Sequence, residues 1–565
     1  MRKSAIFLFF VTFCLTILGL SAQGGIAVPP QTARTKVKTE EKQKTEDSKQ
    51  RPVAKSKVYL LHSDLLRKDA SHPDAQIVTG NVKFRHDSVY MYCDSACYYD
   101  KVSSFEAFGN VKMVQGDTLF LYGDRLYYDG LTQIAEMRCN VRMENRTTTL
   151  LTDSLNYDRV YNLGYFFDGG TLMDEQNVLT SEWGEYSPQT KQSVFNYNVK
   201  LVNPQFTLTS DTLRYNTASK IADIVGPSDI WSDANHIYSE KGTYNTVTGK
   251  ADLYDRSVLT NQGKQLTGDT LFYDRNTGVG EAFSRMVMTD TINRNMLTGE
   301  YGYYNEQTDY AFATDSAVAI DYSQGDSLFL HADTLLMETF HQNTDSMFRE
   351  MRAFHKVRFY RTDVQGTADS LVFSTVDSCL TMYRDPIIWN KNQQLLGEVI
   401  KVYMNDSTID WSHIIGQALS VERVDSTIYN QVTGKEMKSY FANGEMRKTE
   451  VIGSARVVYY PMDSDSTLIG MNVSETSKLE IYLQDRKIER MVMSPKSNGV
   501  LYPMSQIPAG KDRLENFVWF DYIRPLSKAD IFNWRGKRVE DQLKKNVRGP
   551  VVLPNARLFE NKKEE

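Results

Sequence analysis

One acidic residue returns twelve times along this chain, at Asp64, Asp94, Asp124, Asp153, Glu182, Asp211, Glu240, Asp269, Glu300, Asp333, Asp369 and Glu398. The intervals are 30, 30, 29, 29, 29, 29, 29, 31, 33, 36 and 29 residues. A fixed period of this length marks a stack of like units, and it constrains the fold more than any other feature of the sequence. The residue before each acid is small, as in Cys93, Gly123, Thr152, Ser210 and Gly268. Three residues before it the chain is apolar in eleven of the twelve units, Gly366 being the exception. Four residues after it Tyr occurs eight times in succession, from Tyr98 through Tyr128, Tyr157, Tyr186, Tyr215, Tyr244 and Tyr273 to Tyr304.

These offsets carry geometry. Side chains alternate faces along a strand, so the positions three and one before the acid share one face, and the acid and the positions two and four after it share the other. A flat strand would leave half of these apolar groups in water. Each unit therefore needs a bulge or corner beside the acid, and the small residue is expected to allow the bend. A second strand follows after a turn such as Asp129-Gly130 or Asn276-Thr277-Gly278. It is clearest in Gly80-Asn81-Val82-Lys83-Phe84 and Gly109-Asn110-Val111-Lys112-Met113, and it alternates apolar with polar residues. One face of each strand is dry and the other wet.

Strands that bury one face only can be stable when stacked on their neighbours. The expected fold is all-β: a parallel β-helix or a repeated antiparallel jelly roll of about twelve 29-residue units, with an apolar trough along its axis. Composition agrees, with 33 Tyr against 15 Pro in 565 residues. A net charge of −6 excludes a generally basic nucleic-acid binder.

The run Gly-Asp-x-Leu-x-Tyr-Asp at Gly123 to Asp129, nearly copied at Gly268 to Asp274, followed by Gly-Asn-Val-x-apolar, resembles the OstA-like domain of periplasmic lipopolysaccharide-transport proteins. The resemblance covers about residues 58–420, with weaker echoes at Gly434 to Tyr460 and Met471 to Met493. It implies a β-taco like that of LptA and of the soluble part of LptD. Such a fold shelters acyl chains in its cleft and pairs exposed sheet edges with other jelly-roll proteins and with an outer-membrane barrel. Twelve units exceed what a single such domain leads one to expect. The sequence after them lacks the alternating strands and aromatic girdles of a membrane barrel.

The flanking segments read differently. Arg2 and Lys3, an apolar run from Ala5 to Leu20 and the small residues Ser21 and Ala22 form a secretory signal peptide, 1–22, whose alternative is an uncleaved anchor. Residues 23–57 read as a disordered charged linker. Residues 421–504 read as degenerate β repeats, and 505–565 as a tail with an aromatic cluster (Phe517, Trp519, Phe520, Tyr522, Ile523) and a capping-box-like Ser527 to Asp530. That tail is either a docking segment or a cap on the last rung.

Chemistry is weighed against plainer readings. The acid ladder lacks the oxygen-rich clustering of a calcium site, so the carboxylates are expected to accept backbone N–H groups at the corners or to face water. Asp-Ser and Asp-Thr triplets such as Asp87-Ser88-Val89, Asp117-Thr118-Leu119 and Asp153-Ser154-Leu155 look like an O-glycan acceptor, although turn followed by strand start is the favoured explanation. No His-Glu-x-x-His, Gly-x-Ser-x-Gly or P-loop occurs. Cys93 and Cys97 are too far apart along a strand to bridge each other, leaving Cys139 or Cys379 as conceivable partners.

The expectation is an exported, periplasmic carrier that needs no cofactor or metal and is not an enzyme. Lipopolysaccharide or another acylated glycolipid would lie along the apolar positions, represented by Leu121, Leu126, Leu150, Leu155, Leu208, Leu213, Leu266 and Leu271. A surface adhesin or rod, and a β-helix acting on polysaccharide, are the alternatives.

Overall fold

The computed structural model describes residues 57–538, apart from 70–71, 234, 324, 343, 406–407, 443–444, 464, 466 and 485–486. The signal peptide, nearly all of the linker and residues 539–565 lie outside the described residues. Those described form two compact units, one of residues 57–325 and 333–351, the other of 326–332 and 352–538. Both are antiparallel β throughout, and the helical elements described are single 3-10 turns at Asp100–Val102, Met504–Gln506, Asp521–Ile523 and Asp530–Phe532. The jelly roll is therefore realised and the parallel β-helix is not.

In the first unit the chain zigzags between two arms. The strand Leu119–Asp129 begins in one arm, bends at Gly123-Asp124 and ends in the other; Ile134–Asn145 returns the same way. Burial follows the sequence argument. Leu119 and Leu121 are buried before the bend, and Leu126 and Tyr128 after it, so the dry face changes parity at the acid. Each 29-residue period places two strands in each arm, about 9.6 Å of stacking at ~4.8 Å per strand.

The expected bulge is present, but its extra residue is on the returning strand. Phe108 pairs with Arg125 and Val111 with Gly123, so Gly109 and Asn110 together face Asp124. Both take left-handed backbone, φ 74° and 43°. The same pair of left-handed residues recurs at Gly80-Asn81, Cys139-Asn140, Tyr197-Asn198, Asp255-Arg256 and Ser284-Arg285. Asn and Gly tolerate this region best, which explains the Gly-Asn-Val signature. Gly109 is doubly constrained, because a Cβ there would lie 2.6 Å from Asp94 Oδ2.

The acid ladder is the other half of the corner. Asn81, Asn110 and Asn140 donate their side-chain amides to Asp64, Asp94 and Asp124 at 2.9, 2.8 and 2.6 Å. Asn198 does the same for Glu182 at 2.5 Å, and Arg285 pairs with Asp269 at 2.8 Å. The main chain adds a bond from the acid's N–H to the first left-handed residue's carbonyl, as in Asp64 to Gly80 at 2.9 Å. Five of the carboxylates thus pin a bend through a side-chain amide or guanidinium, while Asp153 and Glu300 accept the expected backbone N–H, from Asn140 at 3.3 Å and from Arg285 at 3.2 Å.

The second unit keeps the corner at His355-Lys356, Arg384-Asp385, Gly416-Gln417 and Gly453-Ser454. Its strands continue through Thr408–Arg423, Tyr429–Ala442, Glu445–Tyr459 and Gly470–Gln484. The tail lies along a flank of this unit, across several rungs. Leu514, Phe520 and Ile523 pack with Trp389, Leu396, Leu419, Val421 and Val458, which share one face of successive paired strands. Three buried glutamines at equivalent repeat positions hold it. Gln431 Oε1 accepts from Leu514 N–H at 2.8 Å, and Gln394 Oε1 from Phe520 N–H at 2.7 Å. Gln365 Oε1 accepts from the Arg524 guanidinium at 2.8 Å. The Ser527 hydroxyl accepts from Asp530 N–H at 3.2 Å, but the helix it opens is one turn.

Candidate functional site: a dry interior closed by a polar seam

All eight nominated leucines line the interior of the first unit, none more than 3% exposed. Leu121, Leu150, Leu208 and Leu266 lie in one arm and Leu126, Leu155, Leu213 and Leu271 in the other, on opposite sides of the bend in their strands. Register joins them into rows. Leu150 faces Leu172, which faces Leu179, then Leu201, then Leu208 and Ile230, each directly across a strand pair. Leu172, Leu179 and Leu201 were not among the nominated leucines, although Leu179 holds the apolar position three residues before Glu182. Burying such a row contributes ~25 cal/mol per Å² of apolar surface removed from water.

The tyrosines four residues after each acid are all buried, at the outer end of one arm. Burial pushes the hydroxyls of Tyr128 and Tyr157 up to about 12, against the pull of Arg159. Several of their oxygens meet polar groups from the tips of the opposite arm. Tyr128 bonds His86 at 2.6 Å, Tyr215 donates to Asp174 at 2.8 Å, and Tyr273 accepts from Asn235 at 2.7 Å.

Further contacts make this a continuous seam between hairpin tips of the two arms. Gln115 donates to Asn162 at 2.9 Å, Lys191 to Asn145 at 3.1 Å, and Lys220 to Asp174 at 2.8 Å. Asn177 donates to Thr246 at 3.1 Å, Asn261 to Glu306 at 2.9 Å, and Lys264 to Asp309 at 2.6 Å. Arg275 reaches Gln205. From His86 to Asp309 the interior is therefore a closed sleeve, where the sequence argued only for a trough. Burial works against the Lys264 ammonium, yet Asp309 and Tyr304 outweigh it and its pKa is raised. Burial likewise opposes ionisation of Asp309, and Lys264 and Arg349 overcome it, so its pKa is lowered.

Other candidate chemistry is not assembled. Among the described residues no three His, Cys, Asp or Glu side chains are grouped to hold a metal. Cys93, Cys97, Cys139 and Cys379 are all free thiols. Among the described residues no helix is long and apolar enough to cross a membrane. The triplets at Asp87 and Asp117 lie on exposed hairpin tips, whereas Ser154 is buried within a strand.

The class so defined is a repeated antiparallel β-jelly-roll, two arms folded over a leucine-lined interior. Residues 55–211 and 230–321 match the model of the OstA-like protein family, which supports an OstA-like assignment over this stretch, a β-jelly-roll family of the lipopolysaccharide-transport type. No curated protein matches the chain.

Proposed function

We propose that this protein is a periplasmic carrier which holds the acyl chains of lipopolysaccharide, or of a related acylated glycolipid, in its leucine-lined interior and relays them towards the outer membrane. The unbroken apolar row that runs from Leu121 through Leu150, Leu172, Leu201 and Leu208 to Leu266 carries this reading, together with the match to the OstA-like family. An acyl chain gains ~0.8 kcal/mol per CH₂ on leaving water for such a surface, while its sugars and phosphates remain outside. Other jelly-roll transport proteins and an outer-membrane barrel are its proposed partners, joined through sheet edges. The strand Tyr59–His62, with Tyr59 and Leu61 about half exposed, suits such pairing. Export by the N-terminal signal peptide belongs to the same proposal.

One observation favours a second reading. The arms are joined at their tips, as a structural rod or adhesin would require. Native mass spectrometry of protein purified gently from its own membranes separates the two. The carrier retains an acylated glycolipid released on denaturation; a rod has the mass of its polypeptide.

A further inference from the structure

We propose that the polar seam of the first unit is a latch: the leucine-lined sleeve is loaded only when the hairpin tips of its two arms part at the largely desolvated ion pairs Lys220–Asp174 and Lys264–Asp309. This rests on the carrier reading and adds how its site is opened.

The chemistry of the seam is the argument. A sleeve that never opened would be closed best by apolar side chains, since a buried ion pair is often no more stabilising than the hydrophobic residues that could replace it. Here the apolar surface stops at the tyrosine rings and polar groups take over at the tips. Asp174 is fully buried, and it takes Lys220 at 2.8 Å and the Tyr215 hydroxyl at 2.8 Å. Asp309 takes Lys264 at 2.6 Å and Arg349 at 3.0 Å. When such tips part, each group exchanges a protein partner for water. An apolar edge has no such exchange available and bears the full cost of its exposure. The corners are built for the complementary role. Bulges of two left-handed residues recur there, several of them pinned by a carboxylate as Asp94 pins Asn110, so the arms are hinged at one side and latched at the other. The contacts are also discrete and repeat with the rungs, which lets the seam open over a few rungs while its neighbours stay shut.

The test uses the full chain. Asn177 Nδ2 and Thr246 Oγ1 lie 3.1 Å apart across the seam. The variant Asn177→Cys/Thr246→Cys, oxidised, ties the arms together there. With pyrene-labelled hexadecanoic acid as probe, the reduced variant is expected to take up the fatty acid and the oxidised one to do so at least tenfold more slowly, with recovery on reduction. Equal uptake in both states overturns the latch. Failure of the reduced form to bind the probe counts against the carrier reading itself. The latch is then read without lipid, by amide hydrogen exchange in the neutral variant Asp174→Asn/Lys220→Met. Faster exchange, by tenfold or more, is expected at the tips around 174–177 and 217–220, with the corners around 197–198 and 226–227 unchanged. Tips that exchange no faster than in the parent overturn the proposal.

Discussion

Leu150 and Leu151 are adjacent in sequence and assigned to opposite faces of one strand, which makes them a sharp test of the interior. Leu150 is 1% exposed and faces Leu172 and Met143 across its two neighbouring strands; Leu151 is 37% exposed and faces Thr171 and Arg142. Leu150→Ala removes about three methylene equivalents from a fully buried site, roughly 2.4 kcal/mol of transfer at ~0.8 kcal/mol per CH₂. The residual cavity raises the expected cost to about 3–4 kcal/mol, within the range for buried Leu→Ala changes. Leu151→Ala is expected to cost under about 0.5 kcal/mol, as surface changes do. In a stack whose rungs contact only their neighbours, the loss is local. Amide hydrogen exchange of the strands Thr148–Asp158, Gly170–Asp174 and Ile134–Asn145, followed through urea, reads it directly. Equal destabilisation by the two substitutions, or a larger effect from Leu151→Ala, would refute the register and the dry interior with it.

The corner predicts that Gly109→Ala destabilises its rungs by more than Asn110→Gly, because the first puts a Cβ against Asp94 and strains a φ of 74°, while the second loses only the amide bond; chemical denaturation of each variant checks the order. Native thiol labelling is expected to reach exposed Cys139 first and Cys93 last, since burial and the neighbouring Asp94 push the Cys93 thiol up to about 12; labelling of Cys93 at the Cys139 rate would contradict its placement. Asp309 is depressed and Lys264 raised, so their lock adds stability above the ordinary carboxylate value near pH ~4 and below the ordinary lysine value near pH ~10.4. It is lost as pH falls through the depressed Asp309 value or rises through the raised Lys264 value. Calorimetry should therefore show a constant gap between the parent and Asp309→Asn/Lys264→Met from about pH 5 to 9, narrowing in stronger acid; a gap that changes within that window contradicts the pairing. In the second unit Phe520→Ala should cost about 3–5 kcal/mol by opening a cavity beside Trp389, measured by urea unfolding; a cost below about 1 kcal/mol would show that the tail does not pack there.

The period, the face switch at the acid and the dry positions were legible because the same physics repeats in every rung. Leu121 and Leu126 needed only the alternation of a strand and the small residue between them to be placed inside. The position of the bulge was less legible: the small residue before the acid suggested a bend in that strand, whereas the extra residue belongs to Gly109-Asn110 in its partner. Only the pairing register separates these two arrangements. The seam was missed although part of it is written in the chain. Asn145, Asp174, Asn203, Ser232, Asn261 and Asp290 recur every 29 residues at the far tips. Taken singly they resemble ordinary turn residues, and their meaning depends on Lys191, Lys220 and Glu306 arriving from the other arm. The tail's course was not legible either, since Gln365, Gln394 and Gln431 become its holders only once the rungs align them.

The most direct measurement of the central claim is photocrosslinking from inside the sleeve. Cells grown with photo-leucine place a diazirine at every leucine without changing its shape, and illumination followed by peptide mass spectrometry maps which positions have captured lipid. The account predicts acyl adducts at inward leucines such as Leu150, Leu208 and Leu213, and none at Leu131 and Leu151 on the outer surface. Adducts confined to the outer leucines, or protein-to-protein links alone at the inward ones, would contradict it.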